Sequence, residues 1–188
     1  MLIRKPFYFL RHGQTDWNVA KRIQGQTDIP LNDRGREQAR LAGKKISTLD
    51  ISAIYASQLS RAYETAELVK PHHSTPISIV EDLKEVTIGE RDGHPSGDWY
   101  LQWKSGNLEI TGAETRVAFR KRVLKGINYV LNQENTPLIV SHGGVFGALK
   151  ESVDMLPEIA ITNCMLLHIK PDELDENNWL IDVLFEVD

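Results

Sequence analysis

The stretch Pro6-Phe7-Tyr8-Phe9-Leu10-Arg11-His12-Gly13-Gln14-Thr15 joins a short apolar run directly to a polar run that contains glycine. The apolar part opens with proline, is aromatic and aliphatic, and predicts a short buried strand over residues 6–10. The same pattern returns near the C-terminus, where residues 137–141 lead into His142-Gly143-Gly144. Two predicted strands therefore run straight into a histidine that is followed by glycine.

Strands and helices alternate along most of the remaining chain. Asn32 or Asp33 would cap one helix, and Thr111 to Glu114 has the spacing of a capping box ahead of another. Further strands are predicted over 51–56, 76–80, 137–141, 161–169 and 179–187, and helices over 33–48, 59–70, 98–104, the apolar stripe 117–131 and 143–150. This alternation predicts one α/β domain over residues 1–188, a three-layer α/β/α sandwich with a mostly parallel sheet of five or six strands.

Composition narrows the class of protein. The formal net charge of -4 argues against nucleic acid or an anionic membrane as a partner, since both require clustered Lys and Arg. No stretch approaches the roughly 20 apolar residues that span a bilayer, and the early apolar run is too short for a signal peptide. Cys164 is the single cysteine, which excludes an internal disulfide, so we expect a cytoplasmic protein. Cys164 itself is expected in a buried strand.

The ends of the predicted strands carry the polar residues that chemistry requires. In parallel sheets, ligands bind beyond the carboxyl ends of the strands, where the segments after Leu10, Ala56 and Val140 would converge. These segments contain Arg11, His12, Ser57, Arg61, His142 and Gly143. Arginine offers a planar fork for phosphate oxygens, and glycine leaves backbone N–H groups accessible to an anion. The pattern predicts a phosphate site built without a metal ion or cofactor.

The motifs resemble those of the histidine phosphatase, or phosphoglycerate mutase-like, superfamily, and its small bacterial-type phosphatase branch in particular. The similarity covers about three quarters of the chain, in family order. It comprises Arg11-His12-Gly13, Trp17-Asn18, Ile23-Gln24-Gly25, Asp28, Pro30-Leu31, Gly35, Gln38-Ala39, Ser57 to Ala62, Thr65-Ala66, Leu83-Lys84-Glu85, Gly89, Gly112 to Thr115 and Val140 to Gly144. Gln14, Gln26 and Ala113 depart from common family residues, which bears on substrate choice.

The resemblance implies a phosphoglycerate mutase-like fold and a reaction through a phosphohistidine intermediate. It makes His12 the nucleophile, Arg11, Arg61 and His142 the phosphate clamp, and Glu85 the general acid and base. Asn18, Gln24, Gly25 and Gly143 would border the substrate. We expect a metal-independent phosphomonoester hydrolase, a monomer or homodimer, that acts on a small phosphorylated metabolite.

Two other functions stay open. A phosphoglycerate mutase would return the phosphoryl group to a second substrate oxygen, although the chain is short beside cofactor-dependent mutases. A phosphate-ligand sensor would keep the fold without turnover, although the catalytic residues are intact.

Several side chains also have simpler interpretations. Arg61 could be a solvated helix residue paired with Glu64 or Glu67. His72 and His73 are expected in an exposed loop, and His168 is expected to be structural. The segment with His94, Trp99 and Trp103 would either cover the pocket or pack beneath a loop.

Overall fold

The computed structural model describes residues 1–70 and 76–187, with six α-helices and seven strands among them. The strands are β1 (Phe7–Arg11), β2 (Ile54–Ala56), β3 (Ile77–Ile79), β4 (Leu138–Ser141), β5 (Asp154–Leu156), β6 (Leu166–Pro171) and β7 (Asn178–Phe185). The helices are α1 (Asp16–Val19), α2 (Asp33–Ile46), α3 (Ser60–Val69), α4 (Asp98–Lys104), α5 (Arg116–Gln133) and α6 (Gly143–Lys150). Short 3-10 turns at Glu81–Leu83 and Gly89–Arg91 interrupt the segment between β3 and α4.

The strands form one sheet in the order β3-β2-β4-β1-β6-β7-β5. Four of its six pairings are parallel, and β6 is antiparallel to both of its neighbours. The predicted mostly parallel α/β sheet is therefore confirmed, with seven strands instead of five or six. The additional strand is β5, which has only three residues at the edge of the sheet and no periodic pattern to reveal it.

The central strands are buried on both faces, as the continuous apolar runs predict. Alternate residues of β1 enter different cores: Phe7 and Phe9 pack in the core that α5 and α6 cover, whereas Tyr8 and Leu10 pack in the core that α2 and α3 cover. This period of two is the pleat of a strand. It places helices on both sides of the sheet and leaves the carboxyl ends of β1, β2 and β4 adjacent.

Two local predictions are wrong. The helix expected after a capping box at Thr111–Glu114 begins later, and Thr115 caps it by accepting a hydrogen bond from Ala118 N–H. Cys164 precedes β6 instead of lying in a strand, with a positive φ of 56°, and it is fully buried. The predicted exposed loop at His72 and His73 lies outside the described residues.

His168 lies in β6 and stacks on Tyr8, with ring centroids 4.8 Å apart, in agreement with a structural role. Across residues 1–70 and 76–187, no helix is long and apolar enough to cross a membrane.

Candidate active site

A cavity of about 310 Å³ lies beyond the carboxyl ends of β1 and β4. It is lined by Arg11, His12, Asn18, Arg22, Ile23, Gln24, Gly25, Arg61, Glu85, Val86, Tyr100, Gly143, Gly144 and Ile161. Eight of the nine predicted site residues are in this set. The ninth, His142, lies directly behind His12, with ring centroids 5.2 Å apart.

His12 is held in a single orientation at the end of β1. Its backbone N–H donates to Ser141 O on β4 (2.9 Å), and its ring Nδ1 lies 2.7 Å from Gly13 O. A carbonyl oxygen only accepts, so Nδ1 carries the ring proton and Nε2 carries the lone pair. Burial, followed by the charges of Arg61 and Arg11, lowers the pKa of His12 well below 6.5. The ring is therefore neutral near pH 7 and has a free nucleophilic nitrogen.

His142 is completely buried at the N-terminus of α6. Its Nε2 lies 2.8 Å from Ser57 Oγ, and that hydroxyl also accepts from Leu59 N–H (3.3 Å). When the Ser57 hydroxyl donates to Nε2, the ring proton of the neutral His142 lies on Nδ1. Nδ1 is buried and has no partner in the described part of the chain. In that tautomer, Nδ1–H is a donor suited to an anionic oxygen.

Arg11 and Arg61 supply the positive charge of the cavity. Arg61 is fully buried and donates to Thr27 O and Gly25 O (2.9 Å each), so it is not the solvated partner of Glu64 or Glu67. Arg11 donates to Ile161 O (2.8 Å). Within residues 1–70 and 76–187 the Nε atoms of both arginines are buried and unpartnered. Burial lowers the pKa of each guanidinium, but arginine remains charged at neutral pH.

Glu85 brings a carboxylate to the lining of the cavity. One oxygen accepts from Val86 N–H and the other from Gly144 N–H, both at 2.9 Å. Gly144 leaves room for this contact, because an added Cβ would overlap Glu85 Oε1 and the carboxylate would have to move. The glycines that follow His142 in the sequence therefore also position the Glu85 carboxylate.

Asn18, Gln24 and Gly25, which the resemblance implies would border the substrate, line the cavity. The Asn18 side-chain oxygen accepts from Thr15 N–H (3.0 Å), which leaves its NH₂ group to donate to a ligand. Gln24 is buried, and its Oε1 lacks a partner among the described residues. Gly25 has a φ of +52°, and an added Cβ would collide with Asp92.

The segment that contains His94, Trp99 and Trp103 contributes a cavity residue that no sequence pattern indicated. Tyr100 lines the cavity, whereas His94, Trp99 and Trp103 do not, and Trp103 is buried in the core. The packing interpretation is therefore correct for Trp103. Burial, followed by the charge of Glu85, raises the pKa of Tyr100.

Arg22 and Asn163 were also missed. The Arg22 guanidinium lies 4.3 Å from the centroid of Trp17 and borders the cavity. Asn163 donates to His12 O (3.0 Å) and to Asn18 Oδ1 (3.3 Å). No sequence signal marks these residues, because their contacts bridge distant parts of the chain. Metal-binding groups of three or more His, Cys, Asp or Glu are absent from residues 1–70 and 76–187.

Comparison with known proteins identifies the family of the chain. The family model of the histidine phosphatase superfamily (branch 1) matches residues 7–183. A probable phosphoglycerate mutase GpmB from Salmonella choleraesuis is 31% identical, over 92% of this chain and 86% of the relative.

Solved structures agree with the sequence comparison. Bacillus stearothermophilus YhfR superposes with a TM-score of 0.83 at 27% identity, covering 97% of this chain and 98% of its own. A mycobacterial glucosyl-3-phosphoglycerate phosphatase gives 0.81 at 26% identity, with 95% and 98% covered. A mutant phosphoserine phosphatase from Entamoeba histolytica, bound to phosphoserine, gives 0.74 at 26%, with 89% and 91% covered. The chain belongs to the histidine phosphatase superfamily.

Proposed function

We propose that the protein is a phosphomonoester hydrolase that works by double displacement through phosphorylated His12. The observation that carries this proposal is the neutral, buried His12 ring, whose free Nε2 lies in a cavity with the buried Arg61 and the partly buried Arg11. A nucleophile of this kind needs no metal ion to activate it. The two guanidinium charges match the two charges of a phosphomonoester dianion.

In the first step, Nε2 of His12 attacks phosphorus and the bond from phosphorus to the ester oxygen breaks. Arg11, Arg61 and the Nδ1–H of His142 hold the non-bridging oxygens during the transfer. Glu85, in its acid form, gives its proton to the departing oxygen. The product is an alcohol, and His12 carries the phosphoryl group.

In the second step, the Glu85 carboxylate takes a proton from a water molecule as the water oxygen attacks phosphorus. The phosphorus–nitrogen bond breaks, phosphate leaves, and the electron pair returns to Nε2 of His12. Glu85 ends protonated, as it began, so the cycle balances. Both steps use the same cavity and the same residues.

The size of the cavity supports a small phosphorylated metabolite as the substrate. A volume of about 310 Å³ is at the lower end of ligand pockets, roughly 300 to 1,000 Å³. The lining combines the polar groups with the apolar or aromatic side chains of Ile23, Val86, Tyr100 and Ile161. Two of the structural neighbours support this substrate class, because they are named as phosphatases of phosphorylated small molecules.

The test is a screen of phosphate release from sugar phosphates, phosphorylated acids, nucleotides and p-nitrophenyl phosphate, with and without EDTA. We expect turnover that EDTA leaves unchanged, and an acid-labile phosphoprotein that is absent from His12→Ala. No phosphate release from the whole panel would contradict the proposal and favour a sensor.

A mutase is the second candidate, because the GpmB relative is named a probable phosphoglycerate mutase. Incubation with 3-phosphoglycerate separates the two activities. Formation of 2-phosphoglycerate much faster than phosphate release would establish the mutase. Phosphate release without isomer formation would establish the hydrolase.

A further inference from the structure

Glu85 lies on a segment that is fixed by side chains from other parts of the molecule. Four consecutive carbonyl groups, those of residues 82–85, each accept a hydrogen bond from a side chain. Arg122 Nη1 donates to Asp82 O and Lys84 O at 2.9 Å each, and Arg122 Nη2 donates to Glu85 O at 3.3 Å. Ser141 Oγ donates to Leu83 O at 2.8 Å, and Gln26 Nε2 donates to Glu85 O at 3.0 Å.

Arg122 is itself oriented by a bidentate ion pair. Its Nε lies 2.9 Å from one oxygen of Glu114, and its Nη2 lies 2.7 Å from the other. Both side chains are largely buried, with 18% and 16% of their surface exposed, so solvent screens the pair only in part. The planar fork of arginine fits this geometry, because lysine could not face a carboxylate and three carbonyls at once.

Helix α5 carries Arg122 and lies against the same segment at two further points. Lys125 Nζ pairs with Asp82 at 2.7 Å, and a Cβ added to Gly126 would lie 2.8 Å from Asp82 Cβ. The close approach of the helix at Gly126 brings Arg122 within reach of the carbonyls. Arg122 does not line the cavity, so it acts on the site from outside: it donates a hydrogen bond to Glu85 O, and, besides burial, its charge contributes to the lowered pKa of His142.

We propose that Arg122, held by Glu114, is the positioning residue that keeps the Glu85 carboxylate at the leaving-group oxygen. This inference rests on the proposed hydrolase function and adds to it a pair of residues that never touch the substrate. A general acid contributes about 10²- to 10⁴-fold, and an error of about 1 Å in placement costs roughly 10²-fold. Loss of Arg122 therefore selectively impairs substrates that need a proton on the departing oxygen.

The test compares two leaving groups. An alkyl phosphate leaves as a strongly basic alkoxide and needs the acid, whereas p-nitrophenolate leaves without it. For Arg122→Met we expect kcat/KM to fall about 100-fold for the alkyl phosphate and less than about 5-fold for p-nitrophenyl phosphate. Arg122→Lys should recover only part of the loss. Lys121→Met, which removes an exposed charge from the same helix, should match the wild type.

A double variant separates positioning from general damage. In a Glu85→Gln background, Arg122→Met should cause little further loss with the alkyl phosphate, because the acid is already absent. An equal loss for both substrates, or a full additional loss in the Glu85→Gln background, would overturn the inference. Circular dichroism and thermal unfolding of each variant show whether the fold is kept.

The outcome for the wild type distinguishes the two proposals. If the wild-type protein hydrolyses both substrates but Arg122→Met behaves like wild type, only the positioning role is wrong. If the wild type hydrolyses neither substrate, the proposed function fails and the positioning role fails with it.

Discussion

In the proposed function the cavity has a phosphate end, with His12, His142 and Arg61, and a leaving-group end, with Glu85. The two ends are held in place by different kinds of contact. At the phosphate end, His12 and His142 follow central strands directly, and Arg61 lies in the first turn of α3. All three are buried, and the backbone of His12 is bonded to the neighbouring strand. At the leaving-group end, Glu85 lies on an irregular segment whose carbonyls are bonded to side chains of α5, β4 and the loop after α1.

This difference has a consequence for specificity. Groups on strand ends are placed by the sheet, so the phosphate end should be rigid and should serve every substrate equally. Groups on a segment held by side chains depend on a few contacts, and the departing part of the substrate meets that segment. Changes at the phosphate end should affect all substrates, whereas changes at the leaving-group end should discriminate between them.

The largest expected effect comes from Arg61→Met at the phosphate end. Loss of a guanidinium that stabilises a transferring phosphoryl group should lower kcat/KM about 10³-fold, and by the same factor for p-nitrophenyl phosphate and an alkyl phosphate. Arg36→Met removes a partly exposed arginine that pairs with Glu64, and should change kcat/KM less than about 2-fold. A loss of kcat/KM for only one of the two substrates would refute the proposal that the phosphate end serves every substrate equally.

Gly144→Ala should have the next largest effect, at the leaving-group end. The added Cβ would displace the Glu85 carboxylate, which lies 2.1 Å from the Cβ position, so we expect about 10- to 100-fold lower kcat/KM for the alkyl phosphate only. Gly147→Ala on the same helix is the matched control, because an added Cβ there meets no atom within 4 Å. It should keep full activity and stabilise the fold by about 0.5–1 kcal/mol. Steady-state kinetics and thermal unfolding measure both variants, and equal losses in both would contradict this account.

The same division explains how much the sequence predicts. Central strands β1 and β4 are predicted from continuous apolar runs, and the histidines that follow them are placed at one edge by the parallel topology. Short-range sequence patterns therefore predict where the two histidines of the phosphate end lie. Resemblance to the family was needed to select Glu85 from the acidic residues nearby.

Long-range contacts account for what the sequence does not predict. Thr111 to Glu114 matches a capping box, but Glu114 is committed to Arg122 and its backbone N–H bonds Thr87 O at 3.0 Å. The Glu114 carboxylate is therefore bound in the ion pair with Arg122, and Thr115 caps α5 instead. Arg122 reaches carbonyls up to 40 positions away, and no local period encodes such a contact.

A smaller effect is expected from pH. Burial and then Arg61 lower the pKa of both His12 and His142 well below 6.5. Below about 6.5 the unfolded chain binds protons that the folded protein does not, so the free energy of unfolding should fall as the pH drops through that value. The limb of kcat/KM that belongs to His12 should lie below pH 6.5 as well.

Urea unfolding at pH 5 and 7.5, together with the pH dependence of kcat/KM, tests this prediction. The unfolding midpoint should be lower at pH 5, and His12→Asn should reduce the difference because one of the two histidines is gone. In Arg61→Met the acid limb should move to higher pH, because the second cause of the shift is removed. An acid limb at 6.5 in the wild type would show that His12 is not held neutral by its surroundings.

The smallest expected effect is a difference in labelling rate between two buried cysteines. The first, Cys164, is a probe of the rigidity of the phosphate end. Its backbone N–H bonds Arg11 O (3.1 Å), its side chain is fully buried, and burial raises the pKa of the thiol to about 12. The thiolate is the reactive form, so a disulfide reagent at pH 8 should label the native protein only through opening of the structure. A second probe, Leu83→Cys in a Cys164→Ala background, replaces a fully buried residue of the Glu85 segment that does not line the cavity. Because side-chain contacts hold that segment, it should label faster than Cys164. Equal labelling rates would mean that both ends open together, and the strand-end scaffold would then offer the phosphate site no additional rigidity.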